Sequence, residues 1–323
     1  SHELLFLGPD KFSRRAFQLE NIAAKIILTG KMRRYFSPVA VLDLLKMPIG
    51  FLQTYWHIFW FMPDIVFSKG GYGSVLPTLI AWLFRIPIII HESDSIPGFA
   101  NILLSRFAKR VFVSFEETAV LFPAGKTFVT GNPVRTELFS MPVQSSKDIL
   151  QIESDKPILF LLGGSQGAKQ INELIFLLLP ELIGKYEIIH QSGEANFKQA
   201  ERGSAVQLKG ASRKQGYHLY PMLSEREMSA AYQLADVIVS RAGSGAIFEI
   251  AASGKPSILI PYLDAAGDHQ SRNAEIYSAT GAALVLGERN ITPHMLEGLI
   301  DSIADDPKKA KLMSVSARRF AKP

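Results

Sequence analysis

The chain contains no cysteine. That absence excludes a disulfide scaffold and any thiolate chemistry, nucleophilic or metal-binding. It also lacks a His-Glu-x-x-His motif and an Asp-x-Asp pair at a strand end, so no pattern in it would hold a metal. No Gly-x-Ser-x-Gly elbow occurs. Ser244 stands in Gly243-Ser244-Gly245, the wrong spacing for a nucleophilic serine. The glycine spacing of a dinucleotide fingerprint is missing at Gly163–Ala168, and no Gly-Lys-Ser/Thr follows there to make a Walker loop. There is no short-period repeat and no low-complexity tract.

What remains is ordinary in bulk and specific in detail. The 323 residues are 47% hydrophobic and 20% charged, enough to bury a large core in two domains. The formal charge is +5. Lys11, Arg14, Arg15, Lys25, Lys31, Arg33 and Arg34 crowd the first segment. Such a stripe suits nucleic acid, an anionic membrane or phosphate-bearing substrates, and on charge alone is equally a solvated face.

Short apolar runs alternate with helical stretches along the whole chain. Strands are expected at 4–7, 25–28, 65–67, 87–90, 111–113, 127–130, 157–162, 186–190, 206–209, 236–240, 257–261 and 282–285. Helices are expected at 74–85, 97–107, 167–183, 227–234, 244–253 and 269–279. This alternation predicts an α/β protein with parallel sheets covered on both faces. The pattern lapses through the polar stretch Ser140-Met141-Pro142-Val143-Gln144-Ser145-Ser146-Lys147. The expected organisation is therefore a domain over 1–138, a connection over 139–156 and a second domain over 157–323. The opening strand at Leu4 and the unfinished helical pattern from Met313 read as a piece of a slightly longer protein.

One segment resists the alternation. Met47 to Pro63 carries no formal charge and holds Phe51, Tyr55, Trp56, Phe59, Trp60 and Phe61. It reads as a buried helix or as a partly exposed interfacial patch. A true span would break the parallel-sheet pattern.

Two strand–glycine turn–helix units in the second half carry the functional signal. One is Gly163-Gly164-Ser165-Gln166-Gly167-Ala168 after Ile158–Leu162. The other is Arg241-Ala242-Gly243-Ser244-Gly245-Ala246-Ile247-Phe248-Glu249 after Val237–Ser240. A helix N-terminus offers backbone N–H groups to a phosphate, and a carboxylate one turn on can grip sugar hydroxyls. Each turn alone is also a plain βα connection, and Glu249 alone a plain surface residue. Asp268-His269-Gln270 and Asn273 make a polar cluster after Pro261, where Gln270 can bond a sugar hydroxyl. In the first half, His91-Glu92-Ser93-Asp94 ends a very apolar strand, the edge where parallel sheets take ligands.

Taken in order, Gly70-Gly71-Tyr72, His91-Glu92, Gly131-Asn132-Pro133-Val134-Arg135, Gly163-Gly164-Ser165-Gln166-Gly167-Ala168, His190-Gln191-Ser192-Gly193, Ser240-Arg241-Ala242-Gly243, Glu249, Gln270 and Asn273-Ala274 resemble the MurG family. These are the N-acetylglucosaminyltransferases that complete the lipid-linked peptidoglycan precursor. The resemblance spans nearly the whole chain. It implies a GT-B fold, two Rossmann-like doubly wound domains with a cleft between them, and an inverting transfer that needs no metal or other cofactor. It implies UDP-N-acetylglucosamine as donor, bound by the second domain, and undecaprenyl-linked muramoyl-pentapeptide as acceptor. An anionic membrane surface on the cytoplasmic side is the expected partner, and nucleic acid is not.

Carried over by position, Arg135 and Ser165 would contact the diphosphate or its vicinity, and Gln166 and Arg241 are further substrate-binding candidates. Gly243, Ser244, Gly245, Ala246, Ile247, Phe248 and Glu249 would cradle the nucleotide, Glu249 on the ribose. Gln270 would bind the N-acetylglucosamine, and Asp94 would face the sugar. The family's Gly-Thr-Gly-Gly-His loop, which carries the histidine most often proposed as base, would precede Ser1, so His91 and Glu92 are the base candidates within this sequence. Asp94 stands where the family usually has Asn, and Ala246 where it often has Thr. Another GT-B enzyme, such as a glycolipid synthase or a UDP-N-acetylglucosamine 2-epimerase, and a nucleotide-sugar-binding fragment without turnover stay open beside this reading.

Overall fold

The computed structural model describes residues 2–9, 17, 21–30, 38–135, 138, 141–163, 169–208, 216–263 and 266–322. The chain forms two compact units, residues 1–130 and 131–323.

In the first unit β1 (Leu5–Gly8) pairs in parallel with β2 (Ala23–Ile26). Strands β3 (Val66–Ser68), β4 (Ile88–Glu92), β5 (Arg110–Val113) and β6 (Thr127–Val129) follow in sequential parallel order. Helices α1 (Pro38–Phe61), α2 (Val75–Leu83), α3 (Phe99–Leu104) and α4 (Glu116–Ala119) connect and cover them. Ile58, Ile80, Ile88, Ile90, Val111 and Val113 make the shared core. All-parallel β-branched strands of this kind need apolar cover on both faces.

Helix α1 docks by one narrow stripe. Gly50, Thr54 and Ile58 recur every fourth residue and are buried, as a single helix face requires. Gly50 lies so close to the Leu28 carbonyl that no Cβ fits. Gln53 Oε1 accepts from the Leu28 N–H at 2.9 Å. The opposite face is open: Leu52 is 66% exposed, Trp56 60% and Trp60 67%. Residues 47–61 are thus helical but not a buried helix. The stripe of Gly50, Thr54 and Ile58 binds the unit, Tyr55 and Phe59 lie partly against Phe84, and Trp56 and Trp60 are mostly exposed.

The second unit starts with α5 (Val143–Leu150), inside the stretch read from sequence as a connection. It then alternates β7 (Ile158–Leu162), α6 (Lys169–Lys185), β8 (Glu187–Gln191), α7 (Phe197–Gln207), β9 (Tyr217–Tyr220), α8 (Glu225–Leu234), β10 (Val237–Ser240), α9 (Ser244–Ser253), β11 (Ser257–Leu259), α10 (His269–Ala279) and β12 (Ala283–Val285), and closes with α11 (Pro293–Ala304) and α12 (Pro307–Phe320). The sheet order is β12-β11-β10-β7-β8-β9, all parallel. Alternate residues of β7 feed opposite cores. Phe160 and Leu162 pack with Ile238 and Tyr232, while Leu159 and Leu161 pack with Ile175, Ile188 and Val239. The expected strand at 206–209 is not one, because α7 runs through Gln207. The strand there is Tyr217–Tyr220. Its His218 is buried because Nε2 meets Glu187 Oε1 at 2.6 Å.

His190 lies in β8, next to the edge strand β9, and is fully buried. Its Nδ1 is 2.8 Å from the Tyr217 hydroxyl and its Nε2 3.0 Å from Asn172 Oδ1. Asn172 Nδ2 donates to the Ser192 carbonyl at 3.1 Å, which fixes Oδ1 as the end facing the ring. The ring therefore carries its proton on Nε2 and accepts from Tyr217 on Nδ1.

Candidate functional site

The order β12-β11-β10-β7-β8-β9 reverses direction between β7 and β10. In an open parallel sheet that reversal leaves a crevice beyond the carboxyl ends of the two strands, where ligands bind. Both glycine turns leave the sheet there, after Leu162 and after Ser240. Gly163 donates its N–H to the Gln191 carbonyl at 2.9 Å. A Cβ at Gly163 would come within 2.5 Å of that oxygen, so only glycine fits. The rest of that turn, with Ser165 and Gln166, lies outside the described residues.

The second turn is described throughout. Gly243 is the N-cap of α9 in extended conformation and makes no side-chain capping bond. Ile247 is the first residue to close the helical ladder, its N–H on the Gly243 carbonyl at 3.0 Å. The backbone N–H groups of Ser244, Gly245 and Ala246 precede that first intrahelical bond, in the turn of a helix where an anion is favoured. The side chains of Ile247 and Phe248 are buried and serve the core. Phe320 packs on Phe248 at 5.2 Å between ring centroids and braces the helix from behind.

Glu249 stands on the second turn of α9. Its Oε2 accepts from the Tyr232 hydroxyl at 3.0 Å and its Oε1 from Arg135 Nη2 at 3.3 Å. Arg135 also reaches Glu225 at 3.1 Å. Burial works against the charge on Arg135, but Glu249 and Glu225 together raise its pKa. Arg135, expected at the diphosphate, is thus held to Glu249, expected at the ribose.

Arg241 is committed elsewhere. Its Nη2 pairs with Glu288 at 2.7 Å, nearly out of solvent, and Nη1 donates to the Ile260 carbonyl at 3.2 Å. Glu288 also accepts from the Leu263 N–H at 3.1 Å. Arg241, read from sequence as a ligand contact, here braces the 260–263 loop through Glu288. Gln270 Oε1 accepts from the Tyr262 N–H at 3.0 Å, and Asn273 Nδ2 donates to the Ala242 carbonyl at 3.2 Å. Gln270 and Asn273 thus tie α10 to the loops on either side of it.

In the first unit the end of β4 holds the other candidates. Glu92 is buried, and its carboxylate takes three hydrogen bonds: from the Asp94 N–H at 3.1 Å, the Gly98 N–H at 2.9 Å and Asn101 Nδ2 at 2.9 Å. Those bonds tie Glu92 to the 93–98 loop and to Asn101. His91 Nδ1 lies 3.0 Å from Lys69 Nζ, which also donates to Ser93 Oγ at 2.7 Å. An ammonium has no acceptor, so Nδ1 accepts and the ring keeps a proton on Nε2. Burial lowers the Lys69 pKa, with Glu92 and Asp94 acting against it.

Lys69 opens the glycine turn that follows β3, a turn also visible in the sequence, whereas Tyr232 was not singled out there. Tyr232 carries a usable signal, because a tyrosine on the apolar face of a helix needs a partner for its hydroxyl.

A parallel α/β protein in two units, with a glycine-led helix N-terminus and a carboxylate at the switch point of its second sheet, has the architecture of a GT-B glycosyltransferase. The sequence matches the Glycosyltransferase family 28 N-terminal domain over residues 2–113 and the C-terminal domain over residues 158–322. It is 39% identical to the UDP-N-acetylglucosamine--N-acetylmuramyl-(pentapeptide) pyrophosphoryl-undecaprenol N-acetylglucosamine transferase of Treponema denticola, covering 85% of this chain and 71% of that protein. A Bacillus cereus transferase of the same name, numbered 2, is 38% identical over 98% of this chain and 87% of its own. The crystal structure of Acinetobacter baumannii MurG superposes with a TM-score of 0.71 at 28% identity, over 98% of this chain and 86% of that one. The chain belongs to the MurG family, within glycosyltransferase family 28. A UDP-GlcNAc 2-epimerase from Neisseria meningitidis shares the fold at 14% identity and a TM-score of 0.66.

Proposed function

We propose that this protein transfers N-acetylglucosamine from UDP-N-acetylglucosamine to an undecaprenyl-linked muramoyl-pentapeptide, the step that completes the lipid-linked precursor of peptidoglycan. The observation that carries the reading is the N-terminal turn of α9, with Glu249 one turn on, at the switch point of the sheet. The names of relatives at 39% and 38% identity support it. The diphosphate would lie on the N–H groups of Ser244, Gly245 and Ala246, with Arg135 near it and the ribose on Glu249. As the acceptor hydroxyl attacks C1 of the sugar from the face opposite UDP, negative charge grows on the leaving diphosphate. The dipole and N–H groups of α9 would stabilise that charge where other enzymes use a cation. Gln270 is the proposed sugar contact in the second unit, and Asp94 and His91 are the proposed contributors from the first.

The same reading has the protein docked on the cytoplasmic face of the membrane. Among the described residues no helix is long and apolar enough to cross it. The exposed aromatic face of α1 would enter the headgroup region, and basic residues of the first segment would draw it to anionic lipid. Incubation with UDP-N-acetylglucosamine and the lipid acceptor tests the chemistry. Disaccharide on the lipid is expected. Epimerised sugar nucleotide formed without acceptor would favour the epimerase reading, and binding of UDP without any product the non-catalytic one.

A further inference from the structure

The two oxygens of Glu249 are held in different ways. Tyr232 is fully buried in α8, its ring edge-on to Phe160 at 5.5 Å between centroids. It has little freedom to turn. Its hydroxyl meets Oε2 at 3.0 Å. An ionised carboxylate only accepts, so the tyrosine donates. Burial first, and then the charge of Glu249, raises the Tyr232 pKa well above its ordinary value. Oε1 instead meets Arg135, whose side chain is 47% exposed and shared with Glu225. One oxygen is fixed from the protein interior. The other is covered by a long, half-exposed side chain.

The geometry points to Tyr232 as a positioning residue for nucleotide recognition: it pins Oε2 of Glu249 so that Oε1 is presented to the vicinal hydroxyls of the ribose. The inference rests on the reading of Glu249 as the ribose ligand. The terminal torsion of a glutamate is broad, so a carboxylate without such a bond samples many orientations and must be ordered when the ligand arrives. A buried tyrosine removes that cost in advance, and Arg135 exchanges its partner as the ribose enters.

Tyr232→Phe removes one oxygen and keeps the ring against Phe160. Wild type, Tyr232→Phe and Glu249→Gln are titrated by calorimetry with UDP and with 2′-deoxy-UDP, after circular dichroism and thermal midpoint show each variant folded. Wild type should prefer UDP. Tyr232→Phe should weaken UDP about tenfold and 2′-deoxy-UDP by less than about twofold, the size of one hydrogen bond to a charged group. With UDP-N-acetylglucosamine, KM should rise and kcat hold. Equal weakening of both nucleotides would make Tyr232 a packing residue and overturn the inference. So would unchanged binding in Tyr232→Phe while Glu249→Gln loses UDP; the ribose reading would then stand alone. If Glu249→Gln binds UDP like wild type, the ribose reading falls and the role of Tyr232 falls with it.

Discussion

Arg135 Nη2 lies 3.3 Å from Glu249 Oε1, although 114 residues separate them in the chain. The pair joins the segment after the Gly131 turn to the helix whose N-terminal end is the proposed phosphate site. Glu225, the third member, is 71% exposed, so its share in the network is heavily screened.

Arg135→Ala should therefore cost little stability, within about 1 kcal/mol for an exposed pair. It should weaken UDP more than that, because the guanidinium is the proposed diphosphate partner. Chemical denaturation and UDP titration on the same preparation separate the two. A large loss of stability with unchanged UDP affinity would make Arg135 structural.

Glu249→Ala should weaken UDP binding by about 1–3 kcal/mol, the range for lost hydrogen bonds to a charged group. Calorimetry reads it directly. Unchanged affinity would reduce Glu249 to an anchor for Arg135 and Tyr232.

Burial lowers the pKa of His190 from 6.5 to about 3. Between those values the unfolded chain holds a proton that the folded chain refuses. The stability from keeping His190 neutral is therefore complete above pH 6.5 and drains away as pH falls toward 3. The slope from this one group is up to about 1.4 kcal/mol per pH unit. The stability measured by urea unfolding from about pH 8 down to about pH 4 should fall more steeply for wild type than for His190→Gln. Parallel pH profiles would remove His190 from the account of acid lability.

Replacing Trp56 and Trp60 by serine should cut binding to anionic vesicles with little effect on the fold, since both rings are mostly exposed. Binding by wild type should also weaken as salt rises, with each basic residue near the surface contributing about 1 kcal/mol at low ionic strength. Co-sedimentation with anionic and neutral vesicles is the measurement. Equal, salt-independent binding to both would leave only the apolar part of the proposal.

Some of this was legible in the residues and some was not. Helices α9 and α10 run over 244–253 and 269–279 as expected from sequence, because Gly243 and Gly254 bracket the first and β-strands flank both. Val206-Gln207-Leu208 mimics a strand by local alternation. The strand itself, Tyr217-His218-Leu219-Tyr220, hides behind a buried histidine whose partner, Glu187, is 31 residues away. Helix α5 was not legible in a stretch rich in serine and glutamine; what holds it is its packing on α8, a tertiary contact. The aromatic stretch of α1 was visible as apolar, but its outward face depends on Gly50 and Gln53 docking on Leu28. At the site, the α9 turn and Glu249 could be read directly. The engagement of Arg241 by Glu288, and of Glu92 by its own loop, could not, since each pairing is set by how the elements pack.

The chain has three tryptophans, Trp56, Trp60 and Trp82, and all fall within residues 1–130. Their exposures are 60%, 67% and 52%. The molecule thus has an optical asymmetry. Light absorbed at the red edge, where tyrosine is dark, returns only from the first unit, and from rings bathed in solvent. Emission should start red-shifted, move to the blue when lipid covers α1, and be quenched by brominated acyl chains. The nucleotide turn contains no indole to report on its own occupancy, so a UDP titration followed this way would be quiet by construction.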